Sequence, residues 1–241
     1  MQLFGTDGIR GKVEVVNVSN EDALSYYLEG RKLTPILMRL IGEAVAIELI
    51  NRQNNLNPKI VIGWDNRPNN IQLTKALTQG LAIQGCDVHW AGEIATPGLH
   101  YCILESGYDG GLMVTASHNP AHDSGLKVFD ELGFKTYPER EIEISNIVET
   151  LIIEDRELDD VFLDKLSKPK MEFNGGEKYQ NGLKKRLETI QEMWNIKLEN
   201  AAELGVIPSN GLLLDSSKGS NVSWLSSWLS SNGLNSVEQS S

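Results

Sequence analysis

Short apolar or β-branched runs alternate with helical stretches through the first half of the chain, and that alternation restricts the available folds more than any other feature. Lys59–Trp64 (KIVIGW) has the composition of a buried strand, and Gly111–Thr115 (GLMVT) reads as another. Asp87–Ala91 reads as a strand between them and Gly125–Phe129 (GLKVF) as one after them. After an opening loop, Thr34-Pro35 supplies an N-cap and first helical residue. Ile36, Leu37, Leu40, Ile41, Ala44, Val45 and Leu49 then recur at helical spacing toward Arg52. Asn69-Asn70 offers caps for a helix ending near Gly85, and Thr96-Pro97 precedes one over Gly98–Ser106. Strands separated by helices predict an α/β layer structure.

The 241 residues, 40% of them hydrophobic, suffice for a sizeable core. From Glu139 to Asp164 ten acidic side chains face two basic ones, which reads as an exposed helix followed by a linker. The expected domains are therefore residues 1–160 and 165–241. In the second, a helix over Phe173–Ile190 leads to a strand at Leu212–Asp215 and a glycine turn at Gly219. Trp224, Leu225, Trp228 and Leu229 share a helical face, and a serine-rich tail follows Gly233, so this α/β unit reads as begun and unfinished. No secretory signal opens the chain and no long apolar stretch interrupts it, which predicts a cytoplasmic protein without membrane partners. Cys86 and Cys102 lack metal-site or disulfide spacing and read as small buried hydrophobes. A net charge of −11 argues against nucleic acid. Residues 1–127 carry 10 basic and 13 acidic side chains, net −3, against net −8 for residues 128–241, so an anionic ligand is better placed in the first part.

The residues that could carry chemistry gather around Thr115-Ala116-Ser117-His118-Asn119-Pro120. Ser117 sits between a strand and a sharp turn, where backbone N–H groups can converge on an anion, with His118 beside it as a proton shuttle. Lys127, on the strand Gly125–Phe129, can neutralise phosphate or, if its pKa is lowered, deprotonate a hydroxyl. Arg10, in a glycine-flanked loop, and Arg67, in Gly63-Trp64-Asp65-Asn66-Arg67, add positive charge. Plainer readings compete. Ser-His-Asn-Pro is an ordinary turn sequence, both arginines could simply pair with Asp7 and Asp65, and Lys127 could be a solvent-facing edge residue. His89, His100 and His122 have no metal-ligand spacing, and the absence of a G-x-S-x-G elbow discounts a hydrolase.

Taken in order, Phe4-Gly5-Thr6-Asp7-Gly8-Ile9-Arg10-Gly11, Gly63–Arg67, Thr96-Pro97 and Thr115–Pro120 resemble the α-D-phosphohexomutase superfamily. The opening motif and Asp123-Ser124-Gly125-Leu126-Lys127 look closest to its phosphoglucosamine mutases. The resemblance implies a three-layer α/β/α phosphohexomutase domain I with the beginning of a similar domain II. It also implies a phosphoserine at Ser117 that passes its phosphoryl group to a hexose phosphate through a bisphosphate. Arg10, His118 and Lys127 would surround the transferred group, while Arg67 and Asn119 would bind phosphate or shape the loop. Mg2+ would be held partly by a phosphoryl oxygen on Ser117, and a hexose 1,6-bisphosphate would serve as activator. Glucosamine 6-phosphate is the expected substrate, with mannose or glucose phosphates as the alternative within the family. A non-catalytic module that binds a sugar phosphate or a protein is the alternative outside it. The family has Asn where this chain has Ser124, so looser hydrogen bonding of the loop is expected there. The superfamily's magnesium, sugar-selecting and distal phosphate loops have no counterpart in these 241 residues, so the chain alone is expected not to complete the cycle.

Overall fold

The computed structural model describes residues 2–154, 156, 158–201, 203–205, 207–217, 219–221 and 224–239. Its opening is not a loop. Ile9–Val13 forms strand β1, Asn20–Gly30 helix α1 and Lys32–Leu33 strand β2. The segment IRGKV has too much charge and glycine to read as a strand by itself; pairing with residues 123–126, far along the chain, makes it one. Helix α2 (Pro35–Gln53) begins as expected, with the Thr34 hydroxyl accepting the Leu37 N–H at 3.2 Å. Strand β3 (Lys59–Trp64), helix α3 (Asn70–Ile83), strand β4 (Asp87–Glu93), helix α4 (Thr96–Ser106) and strand β5 (Gly110–Val114) follow in alternation. Strand β6 (Asp123–Asp130), helices α5 (Pro138–Glu154) and α6 (Asp160–Leu166) and strand β7 (Met171–Glu172) complete a first compact unit. That unit runs to Gly175, beyond the acidic stretch where the sequence suggests a linker.

The seven strands form one mixed sheet in the order β2-β1-β6-β5-β3-β4-β7, with β6 antiparallel to both β1 and β5 and the other pairs parallel. Helix α3 packs with α2 on one face of the sheet, in the larger core built around Leu37, Ile41, Ile62, Leu77 and Leu126. Helix α4 lies on the other face, over Val61, Met113 and Phe129. Three layers result. With consecutive crossovers on opposite faces, β4 and β5 flank β3 on opposite sides. The chain order therefore reverses beside β3, and the C-terminal ends of β3 and β5 lie together, with Trp64 in register with Val114. Such a reversal opens a crevice at the sheet edge, the usual ligand position in α/β folds.

Helix α5 is not the exposed helix its acidic sequence suggests. It packs on α2 and buries Arg140, Ile144, Ser145, Val148 and Leu151. Glu48 of α2, 1% exposed, takes both oxygens to Arg140 at 2.7 Å. Glu43, fully buried, meets Arg39 at 2.7 Å and also pairs with Arg156. Two carboxylates that would be prohibitive alone are thus neutralised inside the interface.

The second unit, residues 176–241, contains most of α7 (Gly175–Trp194), a 3-10 turn at Leu198–Asn200, strand β8 (Leu212–Leu214), helix α8 (Leu225–Ser231) and strand β9 (Ser236–Glu238). The residues after Gly233 are therefore not merely a tail, since β9 pairs parallel to β8 with α8 as the crossover. Trp224 and Trp228 meet edge to face, their ring centroids 6.4 Å apart, and Trp228 donates to the Gln180 carbonyl at 3.2 Å. Both indoles are only half-buried, and Ala201 is the one buried hydrophobic residue among the described residues of this unit. Among the described residues no helix is long and apolar enough to cross a membrane.

Candidate functional site

The site is built on the β5–β6 connection at the sheet's reversal point. Ser117 is exposed at the loop tip with φ +55°, a left-handed conformation that non-glycine residues adopt only when their surroundings enforce it. The enforcement is visible on both sides of the residue. Its N–H donates to Thr115 Oγ1 at 2.9 Å, and its carbonyl accepts from Arg67 at 2.7 Å. Arg67 uses all three guanidinium nitrogens. Nε meets Asp65 at 3.1 Å, and the terminal nitrogens donate to the carbonyls of Ser117, Asn119, Pro120 and Asp123 at 2.5–3.2 Å. Arg67 thus clamps the serine loop through four of its carbonyls.

Arg10 is also not where its glycines suggest. It lies on β1 opposite Gly125, on the strand pair next to the serine loop. From there Arg10 donates to Asn119 Oδ1 at 3.0 Å and pairs with Asp7, whose carboxylate also takes Lys127 at 3.1 Å. Lys127 is no edge residue, because β6 is flanked by β1 and β5 and the side chain is only 14% exposed. Partial burial pushes the Asp7 pKa up, but Lys127 and Arg10 outweigh it and hold the carboxyl below the ordinary value. Lys127, Asp7, Arg10 and Asn119 thus form a continuous string beside Ser117. Arg10 Nε, buried and without a protein acceptor, is a spare donor that a phosphoryl oxygen could satisfy. His118 stays exposed on the same loop. The close approach of β1 to β6 depends on two glycines. A Cβ on Gly8, whose φ is +91°, would meet the Leu126 carbonyl at 2.3 Å, and one on Gly125 would meet the Ile9 carbonyl at 2.0 Å.

Beneath the loop lies a polar layer that sequence reading missed. Asn70 does not cap α3. It is fully buried, and its amide nitrogen reaches Asp65 Oδ1 at 2.6 Å and the carbonyls of Val114 and Asp65 at 3.1 and 3.2 Å. Ser124, also fully buried, donates to Asn70 Oδ1 at 2.5 Å, so its short side chain tightens the loop's base rather than loosening it. Asp65 accepts the Thr115 hydroxyl at 2.6 Å. The one sequence clue to this layer was the place of Asp65 and Thr115 inside the motifs.

The residues of this site and six of the seven strands of its sheet fall within one family pattern. The phosphoglucomutase/phosphomannomutase α/β/α domain I matches residues 1–153. The chain belongs to that family. Among curated relatives, the phosphoglucosamine mutase of Lactococcus lactis subsp. cremoris (strain MG1363) is 32% identical over 208 residues, and that of Staphylococcus haemolyticus (strain JCSC1435) is 33% identical over 202 residues. Each match covers 83% of this chain and 40% of the relative, so the chain spans two-fifths of the length of these phosphohexomutase homologues. The parafusin phosphoglucomutase of Paramecium, in its open form, superimposes with a TM-score of 0.65 at 18% identity, covering 97% of this chain and 42% of that one. A Thermus thermophilus protein, provisionally named a phosphomannomutase, gives a TM-score of 0.67 at 23% identity, covering 98% and 45%. These two likenesses speak for the fold. Phosphohexomutases generally depend on Mg2+. Among the described residues no group of three or more His, Cys, Asp or Glu is placed to hold a metal.

Proposed function

We propose that the chain carries the phosphoryl-accepting part of a phosphohexose mutase, with Ser117 as the carrier. The observation that supports this most directly is the pairing of a strained, exposed serine with the cationic string Lys127–Asp7–Arg10–Asn119 at the sheet's reversal point. In the reaction, Ser117 Oγ attacks the phosphorus of a hexose 1,6-bisphosphate and the phosphorus–oxygen bond to the sugar breaks. The serine proton passes, through His118, to the departing sugar oxygen. Run in reverse, phosphoserine gives its phosphoryl group to the 1-hydroxyl of a hexose 6-phosphate and forms the bisphosphate; the forward step at the 6-phosphate then releases the 1-phosphate and restores the phosphoserine. Such transfers need placed positive charge more than covalent help, which suits Arg10 and Lys127. Arg67 and Asn119 serve by holding the loop. A phosphoryl oxygen on Ser117 would supply one ligand to Mg2+.

Glucosamine phosphate is the preferred substrate, because relatives bearing the phosphoglucosamine mutase name match at 32–33% identity; mannose or glucose phosphate is the alternative. A cytoplasmic setting goes with such a substrate. The test is intact mass after incubating the 241-residue chain with magnesium and glucose 1,6-bisphosphate. One added phosphate, absent in Ser117→Ala, is expected; an unmodified wild-type chain would sink the proposal.

A further inference from the structure

We infer that Ser124 and Asn70, neither of which reaches the surface, are positioning residues that set the backbone of Ser117. The inference rests on the proposed role of Ser117 as phosphoryl carrier. It starts from the orientation of one buried amide. The Asn70 nitrogen faces only acceptors, namely Asp65 Oδ1 and the carbonyls of Asp65 and Val114. Its oxygen must therefore face a donor, and the Ser124 hydroxyl at 2.5 Å is that donor. Turning the amide over would set its oxygen against three acceptors.

With Asn70 locked, the Asp65 carboxylate is locked as well. Oδ1 accepts from Asn70, leaving Oδ2 for the Thr115 hydroxyl at 2.6 Å and Arg67 Nε at 3.1 Å. From Asp65 the network divides and rejoins at one residue. Thr115 Oγ1, oriented by donating to Asp65, accepts the Ser117 N–H, while Arg67, oriented by the same carboxylate, donates to the Ser117 carbonyl. Both peptide groups of Ser117 are thus held through one carboxylate that Asn70 and Ser124 aim from below. A left-handed serine relaxes unless it is held in this way. Removing the Ser124 hydroxyl leaves a fully buried acceptor unsatisfied and frees the amide to reorient, so the effect appears at Ser117 although Ser124 touches no reacting atom.

The test reads two quantities in the 241-residue chain, namely hydrogen exchange at the Ser117 and Asn119 amides and the rate of phosphate uptake at Ser117 from glucose 1,6-bisphosphate. Ser124→Ala and Asn70→Ala are each expected to speed exchange at those amides and slow uptake about tenfold, with amides in α2 unchanged. The double variant should be no slower than Asn70→Ala alone, because both residues act through one path. Loop exchange and uptake at wild-type values in both single variants would overturn the inference. So would deprotection that spreads equally into α2, which marks general destabilisation, or additive losses in the double variant. A wild-type chain that takes up no phosphate would refute the carrier role of Ser117, while loop exchange would still show whether Ser124 and Asn70 hold the backbone.

Discussion

A non-glycine residue at φ +55° costs on the order of 1–3 kcal/mol, and at Ser117 the clamp from Arg67 and the Thr115 hydroxyl offset that cost. The result is a serine whose side chain is exposed while its backbone is held. At the far end of the parallel strands His89 shows the opposite arrangement, a side chain held entirely inside. It is 6% exposed, with Nδ1 3.0 Å from the Tyr108 hydroxyl and Nε2 3.1 Å from Asp87, which also takes Lys170 at 2.7 Å. Burial holds the His89 pKa below 6.5; Asp87 pulls upward, and Lys59 and Lys170 reinforce burial. As pH falls through the unfolded value, the unfolded chain therefore takes up more proton at this position than the folded chain does. The stability contribution is complete above 6.5 and declines as pH falls toward the folded value. Thermal melts should show Tm dropping between about pH 7 and about pH 5.5, where carboxylates stay ionised, with a shallower drop in His89→Gln. Equal slopes would assign the drop to other groups.

At the scale of elements, the α2–α5 interface sets buried charge against apolar packing. Glu48 and Arg140 are 1% and 4% exposed and bonded through two contacts. Among the described residues, Arg140→Leu leaves Glu48 with Arg52 alone, at 3.3 Å, and should cost roughly 3–5 kcal/mol. The paired change Glu48→Leu with Arg140→Leu should cost less than the single one, a comparison that urea unfolding midpoints would settle. This interface also shows what a sequence can carry. The alternation of strands and helices from Pro35 to Phe129 is legible because period and composition are local properties, and the loop holding Ser117 is legible because its motif is contiguous. The burial of one face of α5 is not legible locally, because the partner of its Arg140 is Glu48, ninety-two positions earlier in the chain. Strand β1 is created by residues more than a hundred positions away. Asn70 looked like a cap because no local signal separates an amide facing solvent from one facing Asp65.

At the scale of the molecule, the first unit contains both hydrophobic clusters, the whole seven-stranded sheet and every residue of the candidate site. Residues 1–175 expressed alone should therefore melt cooperatively and keep slow exchange at the Ser117 amide; a broad, featureless melt would count against an independent first unit. The sheet itself ends at each side on a strand of two residues, Lys32–Leu33 at one border and Met171–Glu172 at the other. Strand-on-strand growth between copies needs a longer template, several consecutive free N–H and C=O groups in one line. Borders this short give a neighbouring copy little to extend, so the outermost four residues disfavour an eighth strand.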